Sequence, residues 1–470
     1  MSVDAPARVS LSATRRLIDD ALAERRAAPY PPGQSSFSLA RTTRMARDPL
    51  PLLLELYREH GPIFTTRLLA VRVIFMLGPE ANHFVLVGHP ENFHWRESSF
   101  GDLIPLLGDG LLTIDGRYHD RAREAVVPAF HREQIAAAVS TMVEEAGAAL
   151  GSWRAGETVE VYRWMRRLAM RIAMRALLGL DPDDKESGAA AAEHFERALS
   201  FYGGDYHWRL LRGPGSPWRR MLRSRQVLDR IVFEEIARRR RNGVSAARPD
   251  ILAMLMSASD EQGSTFSDRE LRDQLMTLMF AGHDTSTSTL SFLLYELARH
   301  PQELDRVLEE LDEVLAGHPP TAAQLERELP RLEMALDETL RLYPPAWIGP
   351  RRAVHDFEFA GHRVGAGAYV NYCSWASHRL PDVFPDPDAF IPERFGREGK
   401  AALPRGAYVP FGGGSRICVG KRFGQIEVKA VAAMALQRFR PEPAPGYELE
   451  VRQMPTLSPA RGMPLVLRAR

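Results

Sequence analysis

The stretch FGGGSRICVG, residues 411–420, places Cys418 among glycines and beside an arginine, and it decides how the rest of the chain is interpreted. A helix with a buried stripe of Val428, Val431 and Leu436 is predicted to begin just after it. Backbone N–H groups at a helix N-terminus and the nearby Arg416 both favour the thiolate form of a cysteine. A thiolate binds soft or borderline metal ions, so this stretch predicts a metal ligand.

Composition limits the class of protein. The chain has 470 residues, of which 45% are hydrophobic and 26% charged, as expected for a globular protein with a large core. Its 61 Lys and Arg against 60 Asp and Glu give a formal charge of +1, so a nucleic-acid partner is not predicted. Two cysteines, Cys373 and Cys418, are too few for a disulfide framework or a structural zinc site.

Targeting signals are not evident. The N-terminal residues lack the apolar run of a signal peptide, and no stretch reaches the roughly 18 apolar residues of a membrane span. We therefore predict a cytoplasmic protein with no membrane span.

Periodicity predicts a mainly α fold with a small β-rich part. Residues 1–28 are predicted to be a charged helical extension, ended by PYPPG at 29–33, and residues 29–470 a single domain. Alternating side chains over 64–77 predict a β-hairpin, and 357–372 predicts a second strand region. Most of the remaining chain has helical periodicity.

The longest predicted helix begins at SDRE, residues 267–270, which has the form of a capping box, and it ends near Pro301. Its middle, AGHDTSTST at 281–289, interrupts an apolar helix with a glycine, an acid and hydroxyls. One interpretation is a close helix crossing at Gly282 with the hydroxyls bonded to the preceding turn. The other is a groove for a ligand, with Asp284 and Thr285 handling protons; the sequence leaves both open.

Four motifs together resemble one family. FGGGSRICVG matches, at every defined position, the haem-binding signature F-x-x-G-x-R-x-C-x-G of the cytochrome P-450 family. ETLR (338–341), PERF (392–395) and AGHDT (281–285) match its other three landmarks in the right order. The resemblance covers nearly the whole chain. It implies the cytochrome P-450 fold, a large helical domain with a small β-rich subdomain and haem b between the long central helix and the cysteine loop.

The resemblance also implies roles for individual residues. Cys418 would be the thiolate ligand of the haem iron. Asp284 and Thr285 would deliver protons to bound dioxygen. Glu338, Arg341 and Arg394 would form a buried structural ion network. The other implied haem contacts are His119, Arg123, Arg351, Phe411, Arg416 and Gly420. Among them, His119 stands where the family more commonly has a tryptophan, and Arg352 is the alternative to Arg351.

The implied function is that of a haem-thiolate monooxygenase acting on an apolar small molecule of the terpenoid, steroid, fatty acid or polyketide class. Electrons from NAD(P)H would arrive only indirectly, through a reductase and a ferredoxin or flavodoxin type donor. Basic residues near the cysteine motif predict a docking face for that donor: Arg121, Arg331, Arg416, Lys421, Arg422 and Lys429. Two alternatives remain open, a peroxygenase or coupling or rearranging oxidase of the same fold, and a haem sensor without turnover.

Overall fold

The computed structural model describes residues 20, 22–25, 27–204, 206–209, 211–243, 250–258, 263 and 265–470. Most of the predicted N-terminal extension, residues 1–19, lies outside the described residues. The chain divides into two compact units. The first unit contains the residues up to Ile104, together with Leu112–Tyr118 and Glu338–Cys418. The second unit contains Pro105–Leu111, His119–Asp337 and Val419–Arg470.

The helices account for most of the described residues. In chain order, the α-helices are α1 (Leu39–Arg47), α2 (Pro49–His60), α3 (Pro79–His83), α4 (Ile104–Leu107), α5 (Gly116–Val126), α6 (Arg132–Leu150), α7 (Val161–Ala173), α8 (Gly188–Tyr202), α9 (Tyr206–Arg209), α10 (Pro217–Asn242), α11 (Ile251–Ser257), α12 (Asp268–Arg299), α13 (Pro301–Leu315), α14 (Ala322–Arg327), α15 (Pro330–Leu342), α16 (Ser374–Ser377), α17 (Arg397–Ala402) and α18 (Lys421–Leu436). Shorter π and 3₁₀ turns are Phe84–Gly88, Pro90–Asn92, Ser99–Leu103, Val127–Phe130, Met174–Leu178, Pro392–Phe395 and Gly414–Arg416.

The strands are short. In chain order, they are β1 (Gly33–Gln34), β2 (Ile63–Leu68), β3 (Val71–Met76), β4 (Phe93–His94), β5 (Thr158–Glu160), β6 (Ile348–Ala353), β7 (Phe357–Phe359), β8 (His362–Val364), β9 (Tyr369–Cys373), β10 (Phe439–Pro443), β11 (Val451–Arg452), β12 (Ser458–Pro459) and β13 (Pro464–Ala469). The mainly α fold with small sheets is therefore confirmed.

The first unit is organised around a six-stranded sheet of order β1-β2-β3-β9-β6-β4. Strands β2 and β3 form the predicted hairpin, antiparallel from the Ile63–Met76 pair to the Leu68–Val71 pair. The predicted strand region at 357–372 is confirmed as the β7–β8 hairpin followed by β9. Apolar side chains of the sheet, among them Ile74 and Val370, belong to a buried core cluster of this unit.

The second unit is built on α12, which packs against α7 and α18. The predicted capping box is present, because the Ser267 hydroxyl accepts from the Glu270 N–H and the Glu270 carboxylate accepts from the Ser267 N–H. Helix α12 ends at Arg299, and Pro301 begins the next helix. A sheet of order β10-β13-β5 and the β11–β12 pair complete the unit. No helix in the described part of the chain is long and apolar enough to cross a bilayer.

Candidate active site

The cysteine loop belongs to the first unit. Cys418 is exposed, and its N–H donates to the Phe411 carbonyl at 2.9 Å, which closes the loop. Gly414 adopts φ +60°, and a Cβ there would lie 2.1 Å from the Leu86 carbonyl oxygen. Only glycine fits both this conformation and this close approach. The loop thus presents the thiol at the surface of its unit, and helix α18 begins three residues later, as predicted.

Two of the predicted haem arginines meet at one aromatic ring. The guanidinium carbons of Arg351 and Arg416 lie 4.1 and 5.3 Å from the centre of the Trp95 ring. Arg416 also donates to Asp115 Oδ1 at 2.7 Å and to the Ile114 carbonyl at 2.9 Å. Sequence reasoning missed Trp95 and Asp115, because the Asp115 contact joins residues 301 positions apart.

Arg351 and Arg352 have different surroundings. Arg352 lies 3.4 Å from Asp20 and stacks on Tyr369, so its charge has a carboxylate partner. Arg351 is 2% exposed and donates to the Pro350 carbonyl; among the described residues it has no carboxylate within ion-pair distance. Burial lowers the pKa of Arg351, an effect that Tyr372 and Asp115 oppose. A buried guanidinium of this kind fits an anionic group such as a haem propionate.

The predicted structural ion network is present in the first unit. Glu338 and Arg341 are both fully buried and form a two-pronged ion pair with both distances at 2.7 Å. Arg394 Nε lies 3.4 Å from the same carboxylate. Arg341 also donates to three carbonyls, those of His378, Pro387 and Ala389. These bonds satisfy the buried charges, which is the condition for a buried ion pair to be tolerated.

The remaining predicted residues belong to the second unit. His119 and Arg123 lie one turn apart on α5; His119 is buried with Nδ1 3.0 Å from Asp120 Oδ1, and Arg123 is half-buried. Gly420 is the N-cap position of α18. Asp284 and Thr285 lie in the middle of α12.

The hydroxyls of α12 make the bonds to the preceding turn that the first of the two interpretations predicted. Thr285, Thr287, Thr289 and Ser291 each donate to the carbonyl four residues earlier, at 2.6 to 2.8 Å. The close helix crossing that this interpretation placed at Gly282 is not found, since Gly282 is exposed and a Cβ there would meet no atom of the described residues within 4 Å. The helix therefore has no close packing partner at Gly282 among the described residues, and the ligand groove of the second interpretation stays a prediction.

Asp284 is anchored by a buried charge network. It is 2% exposed, and its Oδ1 accepts from Arg166 Nη1 at 2.6 Å. Arg166 is also held by Glu196 through a 2.6 Å bond, and the Glu196 side chain is 38% exposed. Burial works to raise the pKa of Asp284, but His283, Arg166 and Arg452 outweigh it, so the pKa lies below its usual value. Asp284 is therefore ionised and connected through Arg166 to a carboxylate at the surface.

His283 completes this network from inside the helix. Its Nε2 lies 3.1 Å from Glu196 Oε1, and its Nδ1 lies 3.3 Å from Asp284 Oδ1 without hydrogen-bond geometry. Burial alone would lower the pKa of His283, but Asp284 and Glu196 raise it to about 9. The imidazole is thus a buried cation at neutral pH. Sequence reasoning missed His283, Arg166 and Glu196; the adjacency of His283 to Asp284 was the one available signal.

The raised pKa of His283 predicts a pH-dependent stability. Because the folded-state pKa of about 9 exceeds the usual 6.5, protonation stabilises the fold fully below pH 6.5. That contribution, on the order of 3 kcal/mol, is lost as the pH rises through 9. We expect the free energy of unfolding, measured with urea, to fall over this window in the wild type and to fall less in His283→Gln. Equal falls in both proteins would contradict the assignment.

A second buried carboxylate faces α12. Glu427 of α18 accepts a 2.6 Å hydrogen bond from the Ser286 hydroxyl, and burial raises the pKa of Glu427 to about 7. Sequence reasoning missed it, although an acid between the buried Ile426 and Val428 was a visible signal. At neutral pH, Glu427 holds its proton about half of the time.

Polar residues at the start of α12 hold the segment 105–111. Arg272 donates to the carbonyls of Leu106 and Leu107, both at 2.9 Å, and pairs with Asp273 at 2.8 Å. Asp273 accepts from the Asp109 N–H at 2.9 Å. Arg272 and Asp273 are buried, so they fix the backbone of this segment against the helix.

The predicted basic docking face is smaller than expected. Lys429 is 4% exposed and lies 3.4 Å from Glu333, so including it was wrong. Arg121 pairs with Glu270 at 2.8 Å. Arg331, Lys421 and Arg422 are exposed, and Arg422 pairs with Glu326. These three are the exposed residues that remain of the predicted docking face, which stays a prediction.

Comparison with known proteins gives a family match. A family model described as cytochrome P-450 matches residues 31–463. Cyclooctat-9-en-7-ol 5-monooxygenase of Streptomyces melanosporofaciens is 35% identical over 423 residues, covering 87% of this chain and 89% of the relative. Cyclooctatin synthase of the same organism is 33% identical over 441 residues, covering 89% and 92%.

Solved structures are similar over almost the whole length. The retinoic acid bound cyanobacterial CYP120A1 has a TM-score of 0.82 and 29% identity, covering 94% of this chain and 99% of that chain. The heme domain of cytochrome P450DA has a TM-score of 0.85 and 27% identity, covering 94% and 98%.

Proposed function

The chain belongs to the cytochrome P-450 monooxygenase family, and from this premise we propose that it hydroxylates or epoxidises an apolar terpenoid, using dioxygen and electrons from a separate protein. The observation that carries the proposal is the buried, ionised Asp284 beside Thr285, linked through Arg166 to the half-exposed Glu196. A haem carrier or sensor has no need of a carboxylate held in this way. A monooxygenase needs protons at this point of the helix.

We assign the haem contacts to residues whose chemistry fits the group. The Cys418 thiolate would be the iron ligand, and the loop glycines allow the backbone to approach a flat ring. Arg351, without a carboxylate partner among the described residues, would take a propionate. The further contacts that we propose are His119, Arg123, Phe411, Arg416 and Gly420. When bound, the haem supplies the activation of dioxygen and the oxidation itself.

The protein's own part is to manage protons and to exclude water. We propose that protons enter at Glu196 and reach the Asp284 carboxylate past Arg166, whose guanidinium contacts both. From Asp284 Oδ1 the proton would pass, through water, to the Thr285 hydroxyl. In the resting arrangement this hydroxyl donates to the Ala281 carbonyl at 2.6 Å, so it must exchange that bond to act.

A terpenoid is favoured among the four predicted substrate classes. One relative is named for oxidation of cyclooctat-9-en-7-ol, and one solved structure contains retinoic acid; both compounds are mainly hydrocarbon with one polar group. In this chain the turn of α12 that precedes Gly282 is mostly apolar, with Met276, Leu278 and Met279 buried and Phe280 half-buried. Apolar lining of this kind suits a hydrocarbon skeleton with few polar groups.

The electron donor would be a ferredoxin or flavodoxin type protein supplied by its NAD(P)H-dependent reductase in the cytoplasm. Exposed Arg331, Lys421 and Arg422 are the basic residues that support an acidic partner. A peroxygenase or a coupling or rearranging oxidase would differ in its oxygen source or product, and both are outcomes of the test below.

The test is turnover under dioxygen labelled with oxygen-18. The purified holoprotein is first screened against cyclic terpenoid alcohols, and the compound that most perturbs the Soret band is used as substrate. With ferredoxin, its reductase and NADPH, we expect product carrying one labelled oxygen atom. Omitting ferredoxin should stop turnover. Unlabelled product formed equally well with peroxide alone, or coupled product without added oxygen, would contradict the proposal.

A further inference from the structure

We infer that a basic cavity in the second unit binds a small oxyanion, either a phosphate or a carboxylate, at a site that contains no residue of the cysteine loop. The cavity has a volume of about 280 Å³ and is lined by the N-terminal end of α7, by β11 and by the turn around residues 459–462. This volume suits a small ligand and is below that of most drug-sized sites. The inference does not depend on the proposed function.

Four guanidinium groups line this cavity, those of Arg163, Arg166, Arg452 and Arg461. Two have defined carboxylate partners elsewhere: Arg166 is paired with Asp284 and Glu196, and Arg461 lies 2.6 Å from Glu450. Arg163 is 78% exposed, and its distance of 3.9 Å from Glu160 is long for an ion pair, so that pair is weak.

Arg452 is the residue that indicates a ligand. It is half-buried, and its hydrogen bonds, at 3.3 to 3.4 Å, go to the neutral hydroxyls of Ser458 and Tyr162. Within the part of the chain that the structure describes, no carboxylate lies within ion-pair distance of it. A partly desolvated charge with long bonds to neutral groups gains free energy when an anion arrives.

The single carboxylate of the cavity wall is already occupied. Glu160 caps α7: its oxygens accept from the N–H groups of Tyr162 and Arg163 at 3.2 and 2.9 Å, and from that of Met463 at 2.6 Å. Its negative charge is thus held mainly by three backbone donors, and of the four arginines only Arg163 lies within ion-pair distance of it, at 3.9 Å. The cavity therefore keeps an excess of positive charge.

Tyr162 adds a geometric reason for an oxyanion. Its hydroxyl oxygen lies 3.2 Å from Arg166 Nη1 and 3.4 Å from Arg452 Nη2, so the two guanidinium groups converge on one point of the wall. An oxyanion at this point could accept from Arg452 and Arg166 in the forked geometry that guanidinium groups favour.

The test is isothermal titration calorimetry of the full-length, haem-loaded protein with inorganic phosphate and, separately, acetate, at constant ionic strength. We expect one saturable site per chain for at least one of the two probes. Arg452→Gln should weaken binding about tenfold or more, because it removes a charge-assisted hydrogen bond. Arg461→Gln, at the exposed rim, should weaken it less. The titration needs neither electron donor nor substrate, so its failure is distinct from failure of the proposed function.

The matched control is Arg468→Gln, an exposed arginine that pairs with Glu442 at 2.8 Å and does not line the cavity. It should bind the probe as tightly as the wild type. If neither probe binds with one-site saturation, or if Arg452→Gln and Arg461→Gln both retain wild-type affinity, the inference is wrong.

Discussion

Replacing Cys418 by serine is expected to remove the strongly red-shifted Soret band that thiolate-ligated haem gives after reduction and exposure to carbon monoxide. A serine hydroxyl stays protonated at neutral pH and is a poor ligand for this iron, so the electron donation of the thiolate is lost. Turnover should fall by more than about 100-fold, since loss of even an outer-shell partner of a metal ligand costs about 10- to 100-fold. Spectra and turnover are measured on the same preparation.

The second cysteine provides the matched control. Cys373 is buried at the end of β9, and burial raises its pKa to about 12, so it stays a protonated thiol. Cys373→Ala should keep the red-shifted band. If Cys418→Ser kept the band and Cys373→Ala lost it, Cys373 would be the iron ligand and the assignment of Cys418 would be wrong. Loss of the band in both variants, with loss of haem only in Cys373→Ala, would indicate a packing defect in that variant and leave the Cys418 assignment intact.

Features determined by neighbouring residues were predictable from the sequence. The β2–β3 hairpin follows from alternation of side chains within 14 positions, and the start of α12 follows from Ser267 and Glu270 alone. The Glu338–Arg341 pair lies within one helical turn, although its complete burial depends on carbonyls more than 30 residues away. Local geometry is encoded locally, so these elements are found where the sequence predicts them.

The charge network around Asp284 was not predictable in the same way. Arg166 lies 118 positions before Asp284, and nothing in its own helix marks it as different from Arg163 or Arg167. The prediction for Lys429 was wrong for a related reason. A basic residue close to a functional motif was expected at the surface, but Lys429 is buried beside Glu333. Pairings of this kind are decided by how helices pack, which one-dimensional periodicity does not contain.

At Gly282 the structure tests one of the two sequence interpretations. A glycine in a helix costs about 1 kcal/mol relative to alanine, and such a cost is usually offset by a close helix contact or by a ligand. A Cβ placed on Gly282 would have no atom within 4 Å, so the helix contact is excluded there. The hydroxyls nearby are bonded within the helix, as that same interpretation predicted, so one half of it is confirmed and the ligand groove stays a prediction.

Asp284→Asn is expected to lower turnover by roughly 10²- to 10⁴-fold, the usual contribution of a positioned proton donor or acceptor. Asparagine has nearly the same shape, so substrate-induced changes in the Soret band should remain. The loss should therefore appear in kcat with little change in KM. The ratio of rates in H₂O and D₂O should rise, because proton delivery becomes the slow step.

The same substitution should also change the charge network. Without the Asp284 carboxylate, Arg166 and His283 share Glu196 alone, and the pKa of His283 should fall from about 9. Breaking a buried pair on one side costs about 3–5 kcal/mol, so a lower unfolding free energy is expected as well.

Asp284→Glu is the matched variant: it restores a carboxylate and should recover part of the rate. Wild-type turnover in Asp284→Asn would contradict the proton role. A loss of turnover that Asp284→Glu fails to relieve, with an unchanged solvent isotope effect, would assign Asp284 to folding alone.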